Sequence, residues 1–92
     1  MSEVRENAEA RRFELTSGDA VAFIEYRRDG DAVELTHTEV PQAMEGKGIG
    51  SALVCGTLER LRAEGARVVP SCSFVARYIE RHPDYGDMVA GG

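Results

Sequence analysis

The sequence predicts an α+β fold: an antiparallel meander of three strands, a crossover helix, a parallel fourth strand and a C-terminal helix. Three observations carry that reading. Residues 12–40 hold three strand-forming runs separated by short turns. From Gly48 the apolar residues change to helical spacing. A short apolar run, Ala66-Arg67-Val68-Val69-Pro70, follows that helix. A right-handed crossover then sets it parallel to the third strand.

The elements follow in order. Residues 1–10 are polar and lack a strand pattern, so a frayed tail is expected there and a single domain over 11–92. Arg12 to Thr16 alternates polar and apolar residues and reads as a strand. Ser17-Gly18-Asp19 is a turn. Ala20 to Arg27 is the second strand, with Val21 and Phe23 pointing one way and Ala22, Ile24 and Tyr26 the other. Asp29-Gly30-Asp31 makes a hairpin turn into the third strand, Ala32 to Val40. Strict alternation puts Val33, Leu35, His37 and Glu39 on one face of that strand. Pro41 ends it. The crossover helix runs from Gly48 to Glu64, carries Ile49, Ala52, Leu53, Leu58 and Leu61, and is capped by Gly65. Ser71 or Ser73 is placed to cap a second helix containing Phe74, Val75, Tyr78 and Ile79, closed by His82-Pro83. Tyr26, Phe23 and Phe74 read as core. A loose tail ends at Gly91-Gly92.

Composition narrows the function classes. The formal charge is -5, which argues against a nucleic-acid partner held by a basic footprint. An anionic ligand stays possible, because backbone N–H groups bind phosphate without help from net charge. Cys55 and Cys72 lie far apart, without the spacing of a zinc site, so no metal is expected and both read as free thiols in a reducing compartment. The polar, acidic start lacks the apolar stretch of a signal peptide, and no apolar run reaches the length of a membrane span. A cytoplasmic monomer is the expectation.

The segment Glu45-Gly46-Lys47-Gly48-Ile49-Gly50 packs three glycines between a strand and a helix. Glycine permits positive φ and close backbone approach. The first amides of a helix lack intrahelical partners and point outward. An anion placed there gains about 0.3–1 kcal/mol from the helix dipole. The spacing fits neither the P-loop, GxxxxGK[ST], nor the dinucleotide fingerprint, GxGxxG. From spacing alone, a ligand nest and a ligand-free connection are both open.

Wider context adds a resemblance. Gly48-Ile49-Gly50 running into Ser51-Ala52-Leu53 resembles the acyl-CoA loop, [Q/R]-x-x-G-x-[G/A], of the GNAT superfamily of N-acetyltransferases. With His37-Thr38-Glu39-Val40-Pro41 before it and Val69-Pro70-Ser71-Cys72-Ser73-Phe74-Val75 after it, the chain resembles the small stand-alone acetyltransferase-like family of that superfamily over about residues 12 to 89. The resemblance implies a minimal GNAT-like fold and acetyl-CoA as cosubstrate, or coenzyme A as ligand. It implies cofactor contacts at Val40, Glu45, Gly46, Lys47, Gly48, Ile49, Gly50, Ser51 and Ser73. Glu45 departs from the usual Gln or Arg, so phosphate binding there depends on backbone amides, with Lys47 offsetting the carboxylate. Tyr78 does not clearly match the superfamily's thiolate-protonating tyrosine and is not assigned that role.

Three side chains are candidates for the chemistry. Acetyl transfer to an amine needs a proton acceptor and stabilisation of an oxyanion. His37 is a candidate base, since histidine titrates near neutral pH, and Glu39 shares its face. Cys72 stands where the last strand becomes a helix, and a helix N-terminus favours a thiolate. The resemblance places Cys72 near the acetyl group, where it could accept that group. A structural role for His37 and a packing role for Cys72 stay open, and Cys55 reads as packing. The expected function is an acetyl-CoA-dependent N-acetyltransferase with an unidentified amine acceptor. The alternative is a coenzyme A-binding module without transfer activity.

Overall fold

A computed structural model of the chain describes residues 4–90. It contains β1 (Arg5–Asn7), β2 (Arg12–Ser17), β3 (Ala20–Asp29), β4 (Ala32–Glu39), α1 (Ile49–Ala63), β5 (Arg67–Pro70) and α2 (Ser73–Arg81). Two 3-10 turns, Gln42–Met44 and Pro83–Met88, flank the helices. The strands lie in the order β1-β2-β3-β4-β5 in one sheet. Neighbours are antiparallel except β4 and β5, which are parallel with Val33 opposite Val68 and Leu35 opposite Pro70.

Alternation along the strands builds the core. Phe13 and Leu15 of β2 face Ile24 and Ala22 of β3 in register, and all four are buried. Val33 and Leu35 of β4 continue that apolar face, and Val68 extends it onto β5. Leu53, Val54, Leu58 and Leu61 of α1 and Val75 and Ile79 of α2 close over it. These positions recur at helical spacing, so each helix presents one apolar stripe. α1 covers β2, β3 and β5, while α2 covers β4 and β5. Among the described residues no helix covers the opposite face, where Glu14, Phe23, Glu25, His37 and Glu39 stand exposed or half-buried. Gly65, with φ of 75°, takes the left-handed position after α1, and the Ala66 amide bonds back to Leu61 at 2.9 Å.

The ends differ from the sequence expectation. Arg5–Asn7 is a strand, where a frayed tail over 1–10 was expected. It pairs with β2 through Glu6 opposite Phe13. Val4 is buried against α1 at Gly56, where an added Cβ would stand 2.3 Å from a Val4 methyl. Glu6 accepts hydrogen bonds from Tyr26 Oη and Arg28. A three-residue strand shows no alternation to read, and these partners are all distant in sequence. At the other end Val89 bridges Val68 and the Ala90 amide bonds to the Val68 carbonyl at 2.8 Å. Residues 1–3 of the expected tail and the terminal Gly91-Gly92 lie outside the described residues. The N-cap of α2 is Cys72, not Ser71 or Ser73. Ser71 instead donates to Glu34 at 2.6 Å.

Candidate functional site

The site begins with a bulge. Glu25 pairs with His37, but the next residue, Tyr26, pairs with Leu35. Thr36 is the extra residue, and its hydroxyl donates to the Glu25 carbonyl at 3.2 Å. An extra residue reverses which face each later side chain occupies. Cross-strand partners share a face, so Thr38, opposite Ile24, joins the helix-covered side with Leu35. His37 and Glu39, opposite Glu25 and Phe23, turn to the uncovered side. The expectation that Val33, Leu35, His37 and Glu39 share one face is therefore corrected.

Past the bulge β4 loses its parallel partner. The β4–β5 ladder ends at Leu35 opposite Pro70, and the Cys72 amide adds one bond to the Leu35 carbonyl at 2.9 Å. The chain then turns into α2 while β4 runs on to Glu39. The strands part, and a cleft of about 540 Å³ opens there. Thr38, Glu39 and Val40 form its strand side, and Met44, Glu45 and Gly46 its loop side. Gly48, Ile49, Gly50 and Ser51 form its helix side, with Phe74 of α2 at the mouth.

Two of the glycines serve different needs. Gly48 is the N-cap of α1 with φ 71° and ψ 15°, a left-handed conformation costly for residues with a Cβ. Gly50 has ordinary helical φ, but an added Cβ would lie 2.7 Å from Cζ of Phe74. The Ala52 amide is the one that bonds back to the Gly48 carbonyl, at 3.0 Å. The amides of Ile49, Gly50 and Ser51 precede it, in the first turn where a helix leaves its N–H groups without intrahelical partners. They line the cleft at the positive end of a 15-residue helix.

Behind the strand wall stands Cys72. Its Sγ lies 3.3 Å from Thr38 Oγ1, and the residue is half-buried. Burial pushes the thiol up, but a hydrogen bond from the Thr38 side chain, with others from the backbone of Val75, Phe74 and Thr38, outweighs burial and leaves its pKa below the ordinary thiol value. On the other face, His37 Nε2 meets Glu39 Oε1 at 2.8 Å, with both side chains more than half exposed. Glu39 also lines the cleft, so this pair stands at its rim.

The structure thus brings Glu39, Val40, Glu45, Gly46, Gly48, Ile49, Gly50 and Ser51 together around one cleft. Lys47 and Ser73 are exposed and do not line it. His37 and Cys72 fall on opposite faces of the sheet, linked through neighbouring β4 residues Glu39 and Thr38. Thr38, Met44 and Phe74 complete the lining and were not foreseen as site residues. Phe74 was read as core and is 42% exposed. Phe23 is half-buried on the uncovered face beneath the Arg12 guanidinium, 4.2 Å from its ring centroid, while Tyr26 is core as expected. Phe74 falls on the same helical spacing as Val75, Tyr78 and Ile79, so periodicity alone does not separate it from core; Thr38 stands inside the His37-Thr38-Glu39-Val40-Pro41 segment that carries the resemblance.

Known proteins resemble this chain in sequence and fold. The family model described as GCN5-related N-acetyl-transferase matches residues 12–88. A protein of Staphylococcus aureus described as GCN5-like, solved by NMR, superposes with a TM-score of 0.73 at 27% identity, covering 98% of this chain and 89% of that one. Protein NATD1 of Gallus gallus is 33% identical over 51 residues, which is 55% of this chain and 46% of that protein. Protein NATD1 of Homo sapiens matches at 33% over 51 residues, 45% of its length. The match therefore spans about half the length of these curated relatives. With the family model covering most of its length, and a cleft at the parting of β4 and β5 headed by the glycine turn, this chain belongs to the GCN5-related N-acetyl-transferase family.

Proposed function

We propose that the cleft binds acetyl-CoA and that the protein transfers the acetyl group to an amine. The observation that carries this reading is the continuity of one cleft from the first amides of α1 to the parting of β4 and β5. The amides of Ile49, Gly50 and Ser51 suit a diphosphate. Glu45 shares the cleft but Lys47 does not line it, so the anion contact rests on backbone donors. Val40, Met44, Ile49 and Phe74 give an apolar wall for the pantetheine arm, and β4 beyond Leu35 offers backbone to its amides.

The rim supplies a proton acceptor. When His37 Nε2–H donates to Glu39, Nδ1 keeps the lone pair that takes a proton from the incoming amine. Glu39 orients the ring through that hydrogen bond. Cys72 supports a second route, in which its thiol accepts the acetyl group before the amine does, because it adjoins the cleft-lining Thr38 and its pKa is lowered. Titration calorimetry with acetyl-CoA tests the binding; absence of both heat and a thermal shift refutes the proposal. Turnover on a panel of polyamines, peptides and small amines, with His37→Ala and Cys72→Ala beside the wild type, then assigns the route. Binding without turnover on any amine would leave a coenzyme A-binding module in place of an enzyme.

A further inference from the structure

We infer that Thr38 is a positioning residue, whose hydroxyl donates to the Cys72 sulfur at the edge of the cleft and favours its ionised form. The inference rests on the reading of that cleft as an acyl-CoA site and adds a residue to its machinery. Three observations converge on it. The bulge at Thr36 turns Thr38, not His37, toward the helix-covered side. Thr38 Oγ1 lies 3.3 Å from Cys72 Sγ. Thr38 also lines the cleft, while Cys72 stands one side chain behind it.

A hydroxyl can donate to a sulfur anion, and charge-assisted hydrogen bonds are the strong ones. Backbone N–H groups of Val75 and Phe74 approach the same sulfur from the start of α2. Donors thus reach the sulfur from two elements, β4 and α2. The charged side chains lining the cleft are Glu39 of β4 and Glu45 of the loop; α1 and α2 contribute apolar or neutral side chains. No cation is among the causes of the lowered thiol pKa, so the neutral donors carry the stabilisation. In the acyl step the Cys72 thiolate forms a bond to the acetyl carbon and the bond from that carbon to the coenzyme A sulfur breaks. One thioester replaces another without oxidation or reduction. The coenzyme A sulfur leaves with the electron pair and takes a proton from solvent.

The test uses the thiol itself, without acetyl-CoA. In a Cys55→Ala background, Cys72 is the one cysteine in the chain, and its alkylation by iodoacetamide is followed by intact mass across pH. Thr38→Val is expected to raise the alkylation midpoint by about one pH unit, and Thr38→Ser to keep it near the parent value. Thr38→Ala carries the same prediction as Thr38→Val if the valine protein does not fold. With acetyl-CoA at neutral pH, acetyl addition to Cys72 is expected to slow about tenfold in the valine variant and to recover in the serine variant. An unchanged midpoint on loss of the hydroxyl, or a serine variant that behaves like valine, overturns the inference. Failure of the parent protein to bind acetyl-CoA leaves the alkylation result standing, so the two readings fail separately.

Discussion

Gly48 and Gly50 stand two residues apart and should respond oppositely to the same substitution. Gly48 sits at φ 71° with open space where a Cβ would go. Alanine there meets no neighbour, but the left-handed conformation costs about 1–2 kcal/mol. The less flexible unfolded chain returns about 0.4–1 kcal/mol. The net loss centres on about 0.8 kcal/mol, which lowers the melting temperature by roughly 3–6 °C in a domain of this size. Asparagine tolerates the left-handed region better than alanine, so Gly48→Asn should recover part of the loss. At Gly50 the φ is ordinary and the obstacle is the Phe74 ring, 2.7 Å from the added Cβ. That ring is 42% exposed at the end of a flexible side chain, so it swings aside at little cost to the fold. Gly50→Ala should therefore melt within about 0.5 kcal/mol of the wild type but bind acetyl-CoA more weakly, because the displaced ring enters the cleft. Thermal melts of the three variants, with acetyl-CoA titrations, check both halves. A Gly48→Ala protein as stable as the wild type, or a Gly50→Ala protein less stable than Gly48→Ala, would refute the reasoning.

Further outcomes follow from buried and paired groups. Thr57 is fully buried in α1 and its hydroxyl has no hydrogen-bond partner among the described residues; Thr57→Val, close in shape, should raise stability by about 1 kcal/mol in urea unfolding, and a loss would contradict it. Glu14 is held below its ordinary value of 4.5 by a hydrogen bond from Arg12. Glu6 is raised by burial but lowered further by Tyr26 and Arg28. A depressed carboxylate stabilises the fold above its ordinary pKa and loses that contribution as pH falls, so the urea midpoint should drop between about pH 5 and pH 3, less steeply in Glu14→Gln. The Tyr85 hydroxyl donates to Glu59 at 2.5 Å, and that bond with burial raises its pKa. Burial and Cys55 push Tyr78 up to about 12. A raised tyrosine stabilises the fold below its ordinary value of 10.0 and is lost as pH rises above it. Thermal stability should therefore fall above about pH 10, and Tyr85→Phe should flatten the decline; an equally steep curve would remove Tyr85 from the account.

Local features were legible in the sequence where one residue's surroundings decide its conformation. Gly65 ends α1 at φ 75° because glycine, without a Cβ, takes that conformation at no steric cost, a preference local to the residue. The meander, the crossover helix and the parallel strand followed from alternation, turn residues and helical spacing. Most of the cleft was legible for the same reason, since Glu45 to Ser51 is one continuous turn into a helix. Contacts between distant segments were not legible. β1 exists because Val4 meets Gly56 and Glu6 meets Tyr26 and Arg28. The face of each residue after Leu35 depends on one inserted residue, Thr36, and a bulge leaves no mark in composition or alternation. That residue places Thr38 beside Cys72 and moves His37 across the sheet. The sequence by itself determined the elements from β2 to α2 and the glycine turn, because those depend on backbone preference and short-range periodicity. Only the tertiary structure decided which side chains share the site, because a strand's register is set by the neighbour it pairs with.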